Sequence, residues 1–126
     1  MAFHTRILLF GDAPSCQKAL SGIREAMGDD AKVNCVENLE EMTAVLVDWD
    51  PTLIIVVADG AEGMECVYRA RERRPCLPVF WFSDDRDFSV ISYRLECAYF
   101  STKPPTAEKL QNALQRCRRL GIRYTG

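Results

Sequence analysis

Four places in the chain set polar side chains directly behind a short apolar run: Gly11-Asp12, Val57-Ala58-Asp59, Ser83-Asp84-Asp85 and Ser101-Thr102-Lys103. Carboxylates are hard oxygen ligands. A cation such as Mg2+ takes one or two carboxylates and keeps several waters. One carboxylate alone binds it weakly. A lysine ammonium at a partly covered strand end wants a counter-charge, and Asp12 or Asp59 can supply it for Lys103. Each residue also has a plainer role. Asp12 is a good helix N-cap, and Ser83 suits a turn before a helix. Asp59-Gly60 is a good turn pair. Asp84, Asp85 and Asp87 suit a helix start, where the dipole favours acids.

Other chemistries find little support. The cysteines Cys16, Cys35, Cys66, Cys76, Cys97 and Cys117 are evenly spread without a C-x-x-C pair. Most lie among apolar neighbours, so they read as reduced core thiols rather than a disulfide framework. The single histidine, His4, has no clustered partners for zinc. Residues 11–15 are acidic and short, unlike a Gly/Ser/Thr-rich loop that grips a cofactor's phosphates.

The 126 residues fit one domain, with a core over about 5–120. At 48% hydrophobic and 27% charged, the chain can bury a core and stay soluble. A net charge of -2 exerts no overall pull on nucleic acid or anionic lipid. The longest apolar run, 53–58, is a buried strand rather than a membrane span. Residues 1–6 show no secretory signal, so a cytoplasmic location is expected. Arg69, Arg71, Arg73 and Arg74 surround Glu72 and read as a solvated helix end. Arg116, Arg118, Arg119 and Arg123 suit the C-terminal end of a helix, or a lead into an output domain.

The elements that must position the polar ends alternate regularly. Strands are expected over 7–10, 32–36, 53–57, 79–82 and 98–100. Helix one opens at Pro14 and carries Ala19, Leu20, Ile23, Ala26 and Met27 in period. Asn38 and Glu41 form a capping-box-like pair before helix two, whose apolar face is Leu39, Met42, Val45 and Leu46. Helix three is expected over 63–73 and helix four over 85–95. Thr106 caps helix five, which presents Leu110, Ala113, Leu114 and Cys117. Strands separated by helices run parallel. The expected fold class is therefore α/β, a doubly wound five-stranded sheet with helices on both faces and ligands beyond the carboxyl ends of the strands.

Residues 7–14, 51–57, 77–83 and 99–104 together resemble the receiver domain of two-component response regulators. The Lys103-Pro104 pair after strand five is the most specific match. The stretch 88–103 is most similar to receivers that precede LytTR-type DNA-binding domains. The resemblance implies a flavodoxin-like, CheY-like sheet in the order 2-1-3-4-5. It also implies a phosphoacceptor aspartate after strand three, an acidic pair holding Mg2+, and a hydroxyl and a lysine contacting the phosphoryl oxygens. Carried over by position, Asp12 matches the second acid of the pair, Ser83 the hydroxyl, Lys103 the lysine, and Phe100 the aromatic whose rotamer reports activation. The partner of Asp12 is Gly11. The acceptor position holds Val57, which has no nucleophile, and the following loop is about two residues short.

The expectation is thus a pseudo-receiver in phosphorelay signalling. It would not be an enzyme and would need no cofactor, acting through protein contacts with a kinase, an output domain or a regulator. The resemblance points to the face of helix four, strand five and helix five, with Tyr93, Tyr99 and Thr106, and to homodimerisation there. No membrane and no direct nucleic acid are expected as partners. The alternative is a working receiver phosphorylated on Asp59 with Mg2+ held by Asp12 and Asp59.

Overall fold

The computed structural model describes residues 5–125, so His4 and the start of the chain lie outside it. Strands β1 (Thr5–Phe10), β2 (Ala31–Val36), β3 (Leu53–Val57), β4 (Val79–Phe82) and β5 (Tyr99–Ser101) form one parallel sheet in the order β2-β1-β3-β4-β5. They alternate with helices α1 (Ala13–Met27), α2 (Leu39–Asp48), α3 (Gly60–Arg73), α4 (Ser89–Arg94) and α5 (Ala107–Leu120). Phe10 lies opposite Val56, and Val57 opposite Phe82, which brings the ends of the three central strands together.

Side chains alternate across a strand, so one apolar run feeds two cores. Ile7, Leu9, Ile55, Val57, Phe80 and Phe82 pack under α1 and α5. Leu8, Phe10, Ile54, Val56, Ala58 and Trp81 pack under α2, α3 and α4. Burying each large strand side chain contributes roughly 1.5–3 kcal/mol. The uninterrupted apolarity of β3, buried along its whole length, is what covering on both faces demands.

The caps follow the sequence. Asp12 accepts from the Ser15 N–H at 2.8 Å, Asn38 from Glu41 at 2.9 Å, and Thr106 from Lys109 at 3.3 Å. Glu41 reaches back to the Glu37 N–H at 3.1 Å and accepts from the Asn38 side-chain amide at 3.2 Å.

Helix four is shorter than its sequence pattern. Residues Arg86–Phe88 make a 3-10 turn, and only Ser89–Arg94 is α-helical. Asp85 accepts from the Asp87 N–H at 3.2 Å and so caps the 3-10 turn. Ser89, Val90, Ile91 and Ser92 are weak helix formers, and the Ser92 hydroxyl bonds back to the Ser89 carbonyl at 2.6 Å. The segment ends at Glu96, which takes a left-handed φ of 59°.

Helix three starts at Gly60, three residues before the expected position. Strand five runs one residue later than expected. The Lys103-Pro104 peptide bond is cis.

Candidate functional site

The turn from β3 into α3 is short because the helix begins almost at once. Two contacts hold it there. The Trp81 indole N–H donates to the Ala58 carbonyl at 2.9 Å. Gly63 lies against the same carbonyl and the same indole, where a Cβ would collide with both. Asp59 is thereby held at the carboxyl edge of the sheet. It occupies the N-cap position of α3, yet its side chain makes no capping bond.

The Asp59 carboxylate instead joins three loops. Its Oδ1 accepts from the Ser83 hydroxyl at 3.2 Å and from the Asp84 N–H at 2.7 Å. Its Oδ2 accepts from Lys103 Nζ at 2.8 Å. The network continues beyond it. Ser83 Oγ accepts from the Asp85 N–H at 3.0 Å, and the Asp84 carboxylate accepts from the Lys103 backbone N–H at 3.1 Å. The Ser83 N–H donates to the Ser101 carbonyl at 2.9 Å. Ser83 is fully buried and satisfied.

The electrostatics follow these contacts. The bond from Lys103 is the largest influence holding the Asp59 carboxyl below its usual 3.8; the Asp84 N–H and the Ser83 hydroxyl add to it, against a smaller cost of burial. The Asp59 bond likewise raises the Lys103 ammonium above 10.5, with Asp84 and Asp12 contributing at longer range. Asp59 remains about half exposed, so solvent screens the pair.

The other expected residues divide. The counter-charge of Lys103 is Asp59. Asp12 is exposed and spent on its cap, and its carboxyl is held low by Ser15. Gly11 lies against Val57, with a Cβ at 11 placed 3.2 Å from the Val57 carbonyl and 3.4 Å from its Cβ. A carboxylate at 11 would have to push its neighbours aside. Val57 is buried and floors a pocket of about 240 Å3 lined by Ser15, Lys18, Asp84 and Lys103.

Mg2+ does not fit this donor set. Two of the expected acids are Gly11 and Val57, and both oxygens of Asp59 already accept from cations or N–H groups. Among the described residues no three metal-ligating side chains gather.

Phe100 is half-buried and stands edge-on to Trp81, with centroids 5.2 Å apart. Tyr99 turns to the opposite face, against Phe80 and Phe82, and is also half-buried. Thr106 is exposed and serves as a cap. Tyr93, at 83% exposed, is the member of the expected contact face that is free at the surface.

The roles of four residues were not fully visible in sequence. Asp84 appeared as a helix-start acid but bridges to Lys103. Asp59 was legible as a turn residue and as one of two possible partners of Lys103, but not its bonds to Ser83 and the Asp84 N–H. Arg71 appeared as part of a solvated helix end. Its guanidinium in fact donates to the carbonyls of Leu95, Pro75, Leu77 and Glu96, tying α3 to the turn between α4 and β5. Arg74 similarly bonds the Leu46 carbonyl and Asp50.

No protein-family profile matches the sequence, and no curated protein matches it either. Solved structures do. The chain is similar to the chemotaxis response regulator CheY4 of Vibrio cholerae, at 18% identity and a TM-score of 0.72 over 90% of this chain and 98% of that one. It is similar to the response regulator TrrA of Thermotoga maritima in complex with Mg2+-BeF, at 17% identity and a TM-score of 0.70 over 89% and 97%. A CheY-like receiver domain protein of Methanospirillum hungatei matches at 19% identity and 0.68 over 92% and 98%. The chain therefore has the fold of response regulator receiver domains.

Proposed function

We propose that this domain is a pseudo-receiver: a non-catalytic signalling module that works through protein contacts and carries no aspartyl phosphate. The observation that carries the reading is the Asp59 carboxylate, which takes bonds from Ser83 and Lys103, the two residues that the resemblance assigns to the phosphoryl oxygens. A resident anion supplies the negative charge that a phosphoryl group would bring. Val57, at the position of the acceptor, has no oxygen to phosphorylate.

The consequence is a module with one preset state. Asp59 ties the β3–α3, β4–α4 and β5–α5 loops together without any donor. Phe100 lies inward against Trp81 beside them. The contact face proposed for partners is that of α4, β5 and α5, and a second copy of the chain is one candidate occupant. The proposed setting is the cytoplasm. No helix among the described residues is long and apolar enough to cross a membrane.

A second reading rests on the same carboxylate. Asp59 faces Ser83 and Lys103, which makes it the candidate for an alternative acceptor. Incubation with acetyl phosphate and Mg2+ followed by intact-mass measurement separates the two. The pseudo-receiver keeps its mass unchanged. A stoichiometric phosphoryl adduct that disappears in Asp59→Asn would establish the alternative.

A further inference from the structure

Cys16 ends the first turn of α1, and Cys35 stands near the end of the edge strand β2. The main chain brings them together. Cys35 lies opposite Leu9, and the Gly11 N–H donates to the Val36 carbonyl at 3.1 Å. The Gly11 carbonyl in turn accepts from the Cys16 thiol at 3.3 Å. Both side chains lie on one side of the sheet. Alternation along β2 puts Cys35 on the face of Ala31 and Val33, which pack against the core that contains Cys16. Leu20, one turn beyond Cys16 on α1, lines an open hollow of about 380 Å3 together with Ala31, Val33 and Cys35.

The two thiols differ in access. Both are free; Cys16 is buried and Cys35 is exposed. They also interact. Burial raises the Cys35 thiol above its usual 9.0, while a hydrogen bond from the Cys16 thiol works in the opposite direction. Burial pushes the Cys16 thiol up to about 12, with neighbouring Cys35 as the next cause. Cys35 is therefore the sulfur that ionises first and meets solvent, and Cys16 is the protonated one behind it. Cys66, also buried, has a different neighbour, the Met42 thioether at 3.7 Å.

We propose that Cys16 and Cys35 form a reversible disulfide when the domain meets a peroxide, and that this link pins the first turn of α1 to β2. The Cys35 thiolate attacks one oxygen of hydrogen peroxide. The O–O bond breaks with its electron pair on the departing oxygen, which takes up the proton released by Cys35 and leaves as water. Cys35 is left as a sulfenic acid. The Cys16 sulfur then attacks the Cys35 sulfur, the S–O bond breaks, and hydroxide leaves with the Cys16 proton as a second water. The peroxide gains the two electrons that the two thiols lose. Gly11 loses its thiol donor in the process. It lies against Val57, so its carbonyl is where oxidation reaches the β1–α1 loop. In a reducing compartment such a bond is transient and reports an oxidant.

The test treats the reduced, 15N-labelled domain with hydrogen peroxide and then blocks the remaining thiols with an alkylating reagent. Intact mass should show two fewer alkylated cysteines, and fragmentation of the linked peptides should join Cys16 to Cys35. The amide signals of Gly11, Ser15, Cys35 and Val36 should move. The linked form should melt roughly 10 °C higher, because the bond constrains the unfolded chain. Dithiothreitol should reverse every change. Cys35→Ser, at an exposed position, should fold as the wild type does and lose the link and the shift in melting. Cys76→Ser, at the other exposed thiol, should keep both. Cys16→Ala should leave Cys35 as a sulfenic acid that a sulfenic-acid reagent captures.

Full alkylation after peroxide, a link between other cysteines, or a dimer joined through Cys35 would overturn the proposal. So would a Cys16–Cys35 link that leaves the Gly11 and Ser15 signals in place. A phosphoryl adduct on Asp59 would leave it standing, since no group of that network takes part.

Discussion

At the scale of single residues, the site turns on one carboxylate placed two positions beyond the place where an acceptor is expected. Its bonds span sequence separations of 24, 25 and 44 residues, so nothing local in the sequence marks Asp59 as a hub. What was legible was its short distance from Val57 and the need of Lys103 for an anion. The sequence left Asp12 and Asp59 equal as that anion. Geometry separates them, because Asp12 is used up by the Ser15 N–H.

The pH dependence of the pair follows from the direction of each shift. The carboxyl of Asp59 is lowered on folding, so its contribution is present above the unfolded value near 3.8 and is lost as pH falls through the lower folded value. The ammonium of Lys103 is raised, so its contribution is present below 10.5 and is lost as pH rises through the higher folded value. Asp59→Asn should therefore cost about 1 kcal/mol at neutral pH, discounted for exposure. Urea unfolding at neutral pH and again well below pH 4 checks this, and the difference between variant and wild type should vanish at the acid end.

At the scale of elements, the strands could be read directly because each is an apolar run too short for anything else. Helix four could not, since its period is helical while its residues are poor helix formers with a competing cap. The short β3–α3 turn was visible as missing residues, but its cause was not. Gly63 supplies that cause by letting α3 approach Ala58 and Trp81. Gly63→Ala should force the helix outward, costing about 1–3 kcal/mol as overpacking does. Denaturant midpoints measure the cost, and the amide signals of Asp59 and Asp84 should move with it.

Arg71 belongs to the same scale. Its partners are main-chain carbonyls, which no sequence pattern marks, so it passed for a surface charge. Arg71→Ala should leave those carbonyls without their donor and destabilise the domain by about 2 kcal/mol. Hydrogen exchange at residues 95–98 should speed up more than exchange in β1 or β3. Uniform acceleration would mean that Arg71 does not pin the turn in particular.

At the scale of the whole molecule, the fold positions three loops at one edge of a parallel sheet, where a domain of this architecture gathers its functional groups. On the proposed reading the gathering needs no added group. Gly11 and Val57 lie against each other at the positions where the resemblance expects carboxylates, and Asp59 accepts from Ser83, the Asp84 N–H and Lys103 together. The fold was readable from the alternation of apolar runs and caps. The state of the site was not, because it depends on which of several nearby acids reaches one lysine.

The central claim is that this edge holds a preset state and does not respond to a phosphoryl group. The direct measurement is the amide spectrum of 15N-labelled protein with Mg2+, before and after beryllium fluoride, which mimics an aspartyl phosphate where an acceptor exists. The account predicts that the signals of Asp59, Ser83, Phe100 and Lys103 stay in place at saturating beryllium fluoride. A new set of signals for these residues that grows with beryllium fluoride, and is absent in Asp59→Asn, would contradict it.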